Sequence, residues 1–191
     1  MVDTDEPVLV LIGDRVALGT LRVDLVPLYH RWEQQLAVLA GYGQTTPEPL
    51  EARQSSYDAA AQAGDDGAYF TIYAKTGDGR WEPIGTTTLH IDSRKQIADY
   101  VIMLGARRGE GLGTEATRLT LDWAFNVAGL RNVKLEVWAP NKSAIRAYEK
   151  AGFHHVGVRR NGARWLGGPC DEIIMDAIPE DFSGSVVQGQ L

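Results

Sequence analysis

The chain has 191 residues, enough for one domain with a proper core and too few for two ordinary ones. Its 44% apolar and 23% charged residues exclude disorder, and 25 acidic against 19 basic residues, a net charge of -6, exclude bulk attraction to nucleic acid. No apolar run reaches the roughly 18 residues of a membrane helix, and a single cysteine, Cys170, excludes an internal disulfide and points to a reducing, cytoplasmic setting.

The acidic start, Met1 to Glu6, is unlike a signal peptide. Val8 to Ile12 and the alternating stretch Val16 to Val23 predict two short strands. Asp24 is positioned to cap a helix running to about Leu39, with Leu28, Trp32, Leu36 and Leu39 on one stripe and Gly41 and Gly43 at its end. A more polar helix follows Pro47 or Pro49 and runs to about Gln62, carrying Leu50, Tyr57 and Ala61 on one face. After the turn Gly64–Gly67, strands over Ala68–Lys75 and Trp81–Ile91 flank an Asp-Gly hairpin turn, and a third strand, Ile97–Leu104, completes an antiparallel meander. Val133–Trp138 is another strand. Asn141 caps a helix that puts Ala144, Ile145, Tyr148 and Ala151 on one face, and Gly152-Phe153 closes it. His155–Arg159 and Arg164–Leu166 or Ile173–Ala177 complete the sheet around a turn at Asn161-Gly162. The domain is expected to span 1–182, and the Gly-, Ser- and Gln-rich residues 183–191 are expected to be an unanchored tail.

Between the strand Ile97–Leu104 and a helix marked by Leu112, Ala116, Leu119, Trp123 and Val127 lies Arg107-Arg108-Gly109-Glu110-Gly111-Leu112-Gly113-Thr114. Glycines at a helix N-terminus suit an anion: the N–H groups there lack intrahelical acceptors, the helix dipole is positive, and no Cβ blocks approach. Gly111-Leu112-Gly113-Thr114-Glu115-Ala116 also fits the dinucleotide-binding pattern G-x-G-x-x-A. Chain order argues against that rival, since only one more strand–helix unit and a terminal strand pair follow. The acid expected at the tip of the next strand is also missing, Glu136 lying inside it.

Arg108–Gly113 and the segment Asn141-Lys142-Ser143-Ala144-Ile145-Arg146-Ala147-Tyr148-Glu149-Lys150-Ala151-Gly152-Phe153 together resemble the two signatures of the GNAT acyltransferases. Val16–Arg22, Tyr29–Trp32 and Asp171–Met175 resemble its branch of RimJ/RimL-type ribosomal-protein N-terminal acetyltransferases. The resemblance implies an α/β (α+β) fold with a mixed, mostly antiparallel sheet of about seven strands, splayed at the acyl-CoA site, and helices on both faces. It also implies acetyl-CoA as co-substrate: pantetheine beside the backbone of Met103 and Leu104, the pyrophosphate on Arg108, Gly109, Glu110, Gly111, Leu112, Gly113 and Thr114, and contact from Asn141. Arg107 or Arg118 is available for the remaining phosphate.

Direct attack by an amine in a ternary complex needs a neutral nucleophile, an oxyanion donor and a proton for the thiolate. By the same resemblance Tyr148 supplies that proton and the N–H of Leu104 meets the oxyanion. Asp99 and His90 are the candidate bases, with Glu33 a third. Trp32, Glu33 and Trp138 are the acceptor-pocket candidates, Trp165 beside them; Cys170 has no role. A protein α-amine, with a pKa near 8, needs less help from a base than a lysine near 10.4. The expected function is acetyl transfer to a protein N-terminal or small-molecule amine. Resistance-type acetylation of an amine antibiotic and a non-catalytic acyl-CoA-binding module are the alternatives. Neither nucleic acid, membrane nor metal is expected as a partner, and a homodimer is compatible with the sequence.

Overall fold

The computed structural model describes residues 6–62 and 64–191; most of the acidic start, residues 1–5, lies outside them. In chain order the elements are β1 (Leu9–Ile12), β2 (Val16–Thr20), α1 (Val26–Glu33), α2 (Leu36–Tyr42), α3 (Leu50–Ala60), β3 (Gly67–Lys75), β4 (Trp81–Asp92), β5 (Ile97–Leu104), α4 (Leu112–Asn126), β6 (Asn132–Trp138), α5 (Lys142–Ala151), β7 (His154–Trp165) and β8 (Gly168–Ala177). The strands form one open sheet in the order β1-β2-β3-β4-β5-β6-β8-β7. Every neighbouring pair is antiparallel except β5 and β6, which α4 connects as a parallel pair.

Strand alternation divides the core. Val133, Leu135 and Val137 of β6 pack with Leu112, Ala116, Leu119 and Ile145 of α4 and α5 on one face. On the other, a smaller cluster of Val26, Tyr29, Trp32 and Val38 from α1 and α2 covers Met103. The apolar stripe that predicts one helix to Leu39 is interrupted: Gln35 is extended (ψ 132°), so α2 starts afresh, and Leu36 is 75% exposed while Val38 packs inward. Both glutamines at the break spend their side-chain carbonyls elsewhere, Gln34 on the N–H of Glu48 and Gln35 on Arg108. Asp24 caps nothing; Arg22 holds its carboxylate at 2.6 Å.

Three further expectations are corrected. The turn expected at Asn161-Gly162 is instead a bulge inside β7, and the chain reverses at Leu166 and Gly167, both at positive φ. The alternating stretch Val16–Val23 ends as a strand at Thr20 and passes into a 3-10 turn. Residues 183–191 are anchored: buried Asp122 of α4 accepts hydrogen bonds at 2.6 Å from both the Ser185 hydroxyl and the Val186 N–H, Val187 is buried, and the Gln190 amide both donates to and accepts from the backbone of Ile12. A carboxylate buried in mid-helix requires donors, and a tail with one buried apolar residue supplies them. Asp122→Ala should free this tail. We expect proteolysis near Ser183 to quicken at least tenfold and the melting temperature to fall by about 4–8 °C, the equivalent of roughly 2 kcal/mol of lost charged hydrogen bonds.

Candidate active site

β5 and β6 pair only through Ile97–Asn132, Ala98–Val133 and Asp99–Lys134. Beyond Asp99 each strand follows its outer neighbour, β5 to Leu104 beside Gly85 and β6 to Trp138 beside Glu172. The two therefore part, leaving a cleft of about 1270 Å³ lined from both strands, α2, the glycine loop and α5. One strand edge is exposed inside it. Tyr42, at the end of α2, donates to the carbonyl of Ile102 at 2.6 Å, which marks Ile102 as facing the gap, and by alternation Leu104 faces it too. The Leu104 carbonyl accepts from Arg108 Nε at 2.7 Å, and its N–H is directed to the cleft. Met103 lines the cleft, but its backbone is turned toward β4 and its side chain is buried beneath α1 and α2, so the strand edge that opens on the cleft is that of Ile102 and Leu104.

The loop follows at once. Gly109 and Gly111 take φ of +85° and +82°, conformations that suit glycine, and Leu112 anchors the first turn of α4 in the core. Gly111 stands at the N-cap with no side chain to satisfy the turn, and the N–H groups of Gly109 to Gly113 meet no acceptor among the described residues. Thr114 also lines the cleft, its N–H returning to Gly111. Glu110 points its carboxylate away, 2.8 Å from Arg107, which also pairs with Glu82; these contacts fasten the loop to β4 and leave Arg107 engaged. Arg118 is likewise engaged, donating to the Ser183 carbonyl. Arg108 lines the cleft and reaches across to Gln35 at 3.1 Å. Lys142 and Arg146, exposed on α5, line the cleft without a carboxylate partner among the described residues.

Asn141 caps α5 through the N–H of Ala144, and Tyr148 follows two turns along the helix, in the cleft wall. The Tyr148 ring stands edge-on to Tyr100 and Phe153, and burial pushes its phenol up to about 12. Its hydroxyl has no hydrogen-bond partner among the described residues, whereas that of Tyr100 is spent on Thr117.

The candidate bases separate. Asp99 lies at the foot of the cleft, 2.5 Å from Lys134. His90 pairs across the ladder from Asp99 and sits edge-on to Tyr69, but it does not line the cleft. Glu33 is turned into a polar cluster behind α1, 2.9 Å from Arg53 and accepting from Tyr57; burial raises its pKa and Arg53 opposes the shift. Trp32 is core: a Cβ on Gly105 would lie 2.0 Å from its ring. Trp138 does line the cleft, with Trp165 at 6.2 Å. Sequence reading misses two acids of this wall, Glu136 and Glu172. Alternation on β6 shows Glu136 sharing a face with Trp138, but their meeting with Glu172 depends on the order β6-β8-β7. Burial first, then the neighbouring Glu136, raises the pKa of Glu172, and Arg159 opposes the shift.

Residues 15–154 match the family described as the acetyltransferase (GNAT) domain. A probable N-acetyltransferase of Bacillus subtilis, YjcK, is 34% identical over 103 residues, 52% of this chain and 55% of that protein. Spermidine N(1)-acetyltransferase of Escherichia coli is 34% identical over 68 residues, 36% of each chain. The chain thus spans about half, or less, of the length of these curated relatives. Among solved structures, the spermidine N-acetyltransferase of Vibrio cholerae in complex with CoA and spermine superposes with a TM-score of 0.79 at 18% identity, covering 89% of this chain and 99% of the other. RimJ of Mycobacterium smegmatis in complex with CoA-disulfide gives 0.73 at 20% identity, covering 92% and 89%. These likenesses are of fold, and the match over 15–154 carries the conclusion that the chain belongs to the GNAT acetyltransferase family.

Proposed function

We propose that the protein is an acetyl-CoA-dependent N-acetyltransferase in which a primary amine attacks the thioester directly while both substrates are bound. The observation that carries this reading is the parting of β5 and β6 beyond Asp99, which opens a strand edge into a cleft with unpaired loop amides and an unpartnered tyrosine in its walls. An extended amide chain pairs along the edge at Ile102, leaving the Leu104 N–H for the reacting carbonyl, and a pyrophosphate takes the amides at the positive end of α4. Lys142 and Arg146 supply charge for a further phosphate.

As the amine nitrogen bonds to the carbonyl carbon, negative charge gathers on the carbonyl oxygen, where the Leu104 N–H meets it. The carbon–sulfur bond then breaks, and the sulfur leaves with the proton of Tyr148. The amine's surplus proton passes to water held near Asp99, whose own carboxylate is tied to Lys134. A reducing compartment such as the cytoplasm suits the unpaired Cys170.

Calorimetry with acetyl-CoA should give one site per chain, and acetyl-CoA consumption should rise with small amines or peptide N-terminal amines. Replacing Lys142 and Arg146 together by Glu should raise KM for acetyl-CoA about tenfold or more, with kcat little changed. Heat without turnover on any amine would reduce the protein to a carrier-binding module, and no heat would remove the reading.

A further inference from the structure

Five charged side chains alternate in sign across four strands on the face of the sheet beside the cleft: Asp99 on β5, Lys134 and Glu136 on β6, Arg159 on β7 and Glu172 on β8. Lys134 lies 2.5 Å from Asp99 and 3.8 Å from Glu136, while Arg159 lies 3.7 Å from Glu136 and 2.7 Å from Glu172. Three carboxylates thus share two cations. One negative charge is left over, and the distances show where. Both cations stand beyond hydrogen-bonding reach of Glu136. Glu172 is only 6% exposed, and its Oε2, although close to Arg159, accepts no hydrogen bond from the described residues. Both acids line the cleft, as do Trp138, ladder partner of Glu172, and Trp165, whose rings lie 6.2 Å apart at 77° to one another. Buried carboxylate oxygens require donors, and indole faces attract cations.

We propose that Glu136 and Glu172, walled by Trp138 and Trp165, form a subsite for a second positive charge on the acceptor. This rests on the acetyl-transfer reading above and narrows it: the preferred acceptor is a flexible di- or polycationic amine, whose far ammonium docks here while its near amine reaches the thioester. An ammonium brings three donors and the missing charge. A monoamine of equal length leaves the subsite empty.

The test compares 1,4-diaminobutane with butylamine. In the wild type kcat/KM should favour the diamine by about tenfold or more, the size of one charge-assisted hydrogen bond in a partly dry pocket. Glu136→Gln and Glu172→Gln, which keep side-chain volume, should each bring that ratio down toward one, chiefly through the KM of the diamine. Calorimetry of the diamine with CoA-loaded protein gives a second readout, with binding weakened about tenfold in either variant. Equal use of the two amines by the wild type, or a ratio and a diamine affinity that neither variant moves, would overturn the subsite. If no amine is acetylated, the acetyl-transfer reading falls by itself, while the diamine titrations still decide for or against the subsite.

Discussion

Tyr148→Phe should lower kcat about 100-fold or more while acetyl-CoA affinity stays within roughly twofold, because a positioned general acid contributes on the order of 10²–10⁴ in rate and the ring itself is kept. The ring makes its packing contacts with Tyr100 and Phe153, which the variant preserves, and the hydroxyl makes no hydrogen bond that the variant breaks. Only the transferable proton is lost. The pH profile gives a second check. Since burial raises this phenol from an ordinary 10 to about 12, the acid stays protonated until pH approaches the raised value. Wild-type kcat should therefore show no alkaline decline assignable to this group below about pH 10. Titration at its ordinary value would instead bring a fall centred near pH 10. Equal kcat in wild type and variant would assign the thiolate's proton to another donor.

Gly85→Ala should be the most damaging single methyl in the fold. Gly85 sits on β4 opposite Leu104, and a Cβ there would lie 2.0 Å from the Met103 carbonyl oxygen and 3.0 Å from its carbon. Both are backbone atoms, so no rotamer change relieves the clash and the two strands must separate. Overpacking of this kind costs about 3 kcal/mol, which lowers the melting temperature of a chain of this size by roughly 6–12 °C. Activity should fall further than stability, since the displaced stretch carries the Leu104 N–H, and about 1 Å of misplacement can cost 100-fold in rate. A melting temperature within about 2 °C of wild type would mean that β4 and β5 do not approach each other this closely at Gly85.

The readable parts of the fold are those in which one local pattern gives way to another. From Ile97 to Val127 an apolar strand yields to a helical stripe through glycines, and the loop and its helix lie where that change predicts. Tyr148 is equally legible by its helical face, and Asn141 as a cap whose side chain accepts from the N–H of Ala144. What escaped depends on distant partners. The break at Gln34-Gln35 is invisible because the apolar spacing runs through it, while the side chains that stabilise it meet Glu48 and Arg108. His90 and Glu33 carry suitable chemistry but lie outside the cleft, since sheet order and helix docking decide what faces it. Glu136 and Glu172, 36 positions apart in sequence, become neighbours only through the β6–β8 ladder.

The Gln190 carboxamide has one further effect. It offers a donor and an acceptor on the same planar group, as a peptide unit does, and it presents both to Ile12 on the outermost strand, where Val10 and Ile12 are exposed. A side chain thus stands in for the adjoining strand that β1 lacks among the described residues, sealing one step of a rim on which a foreign chain would otherwise stack. The turn that carries Gln190 is therefore tied to the first strand of the sheet, although Ile12 and Gln190 lie 178 positions apart in sequence.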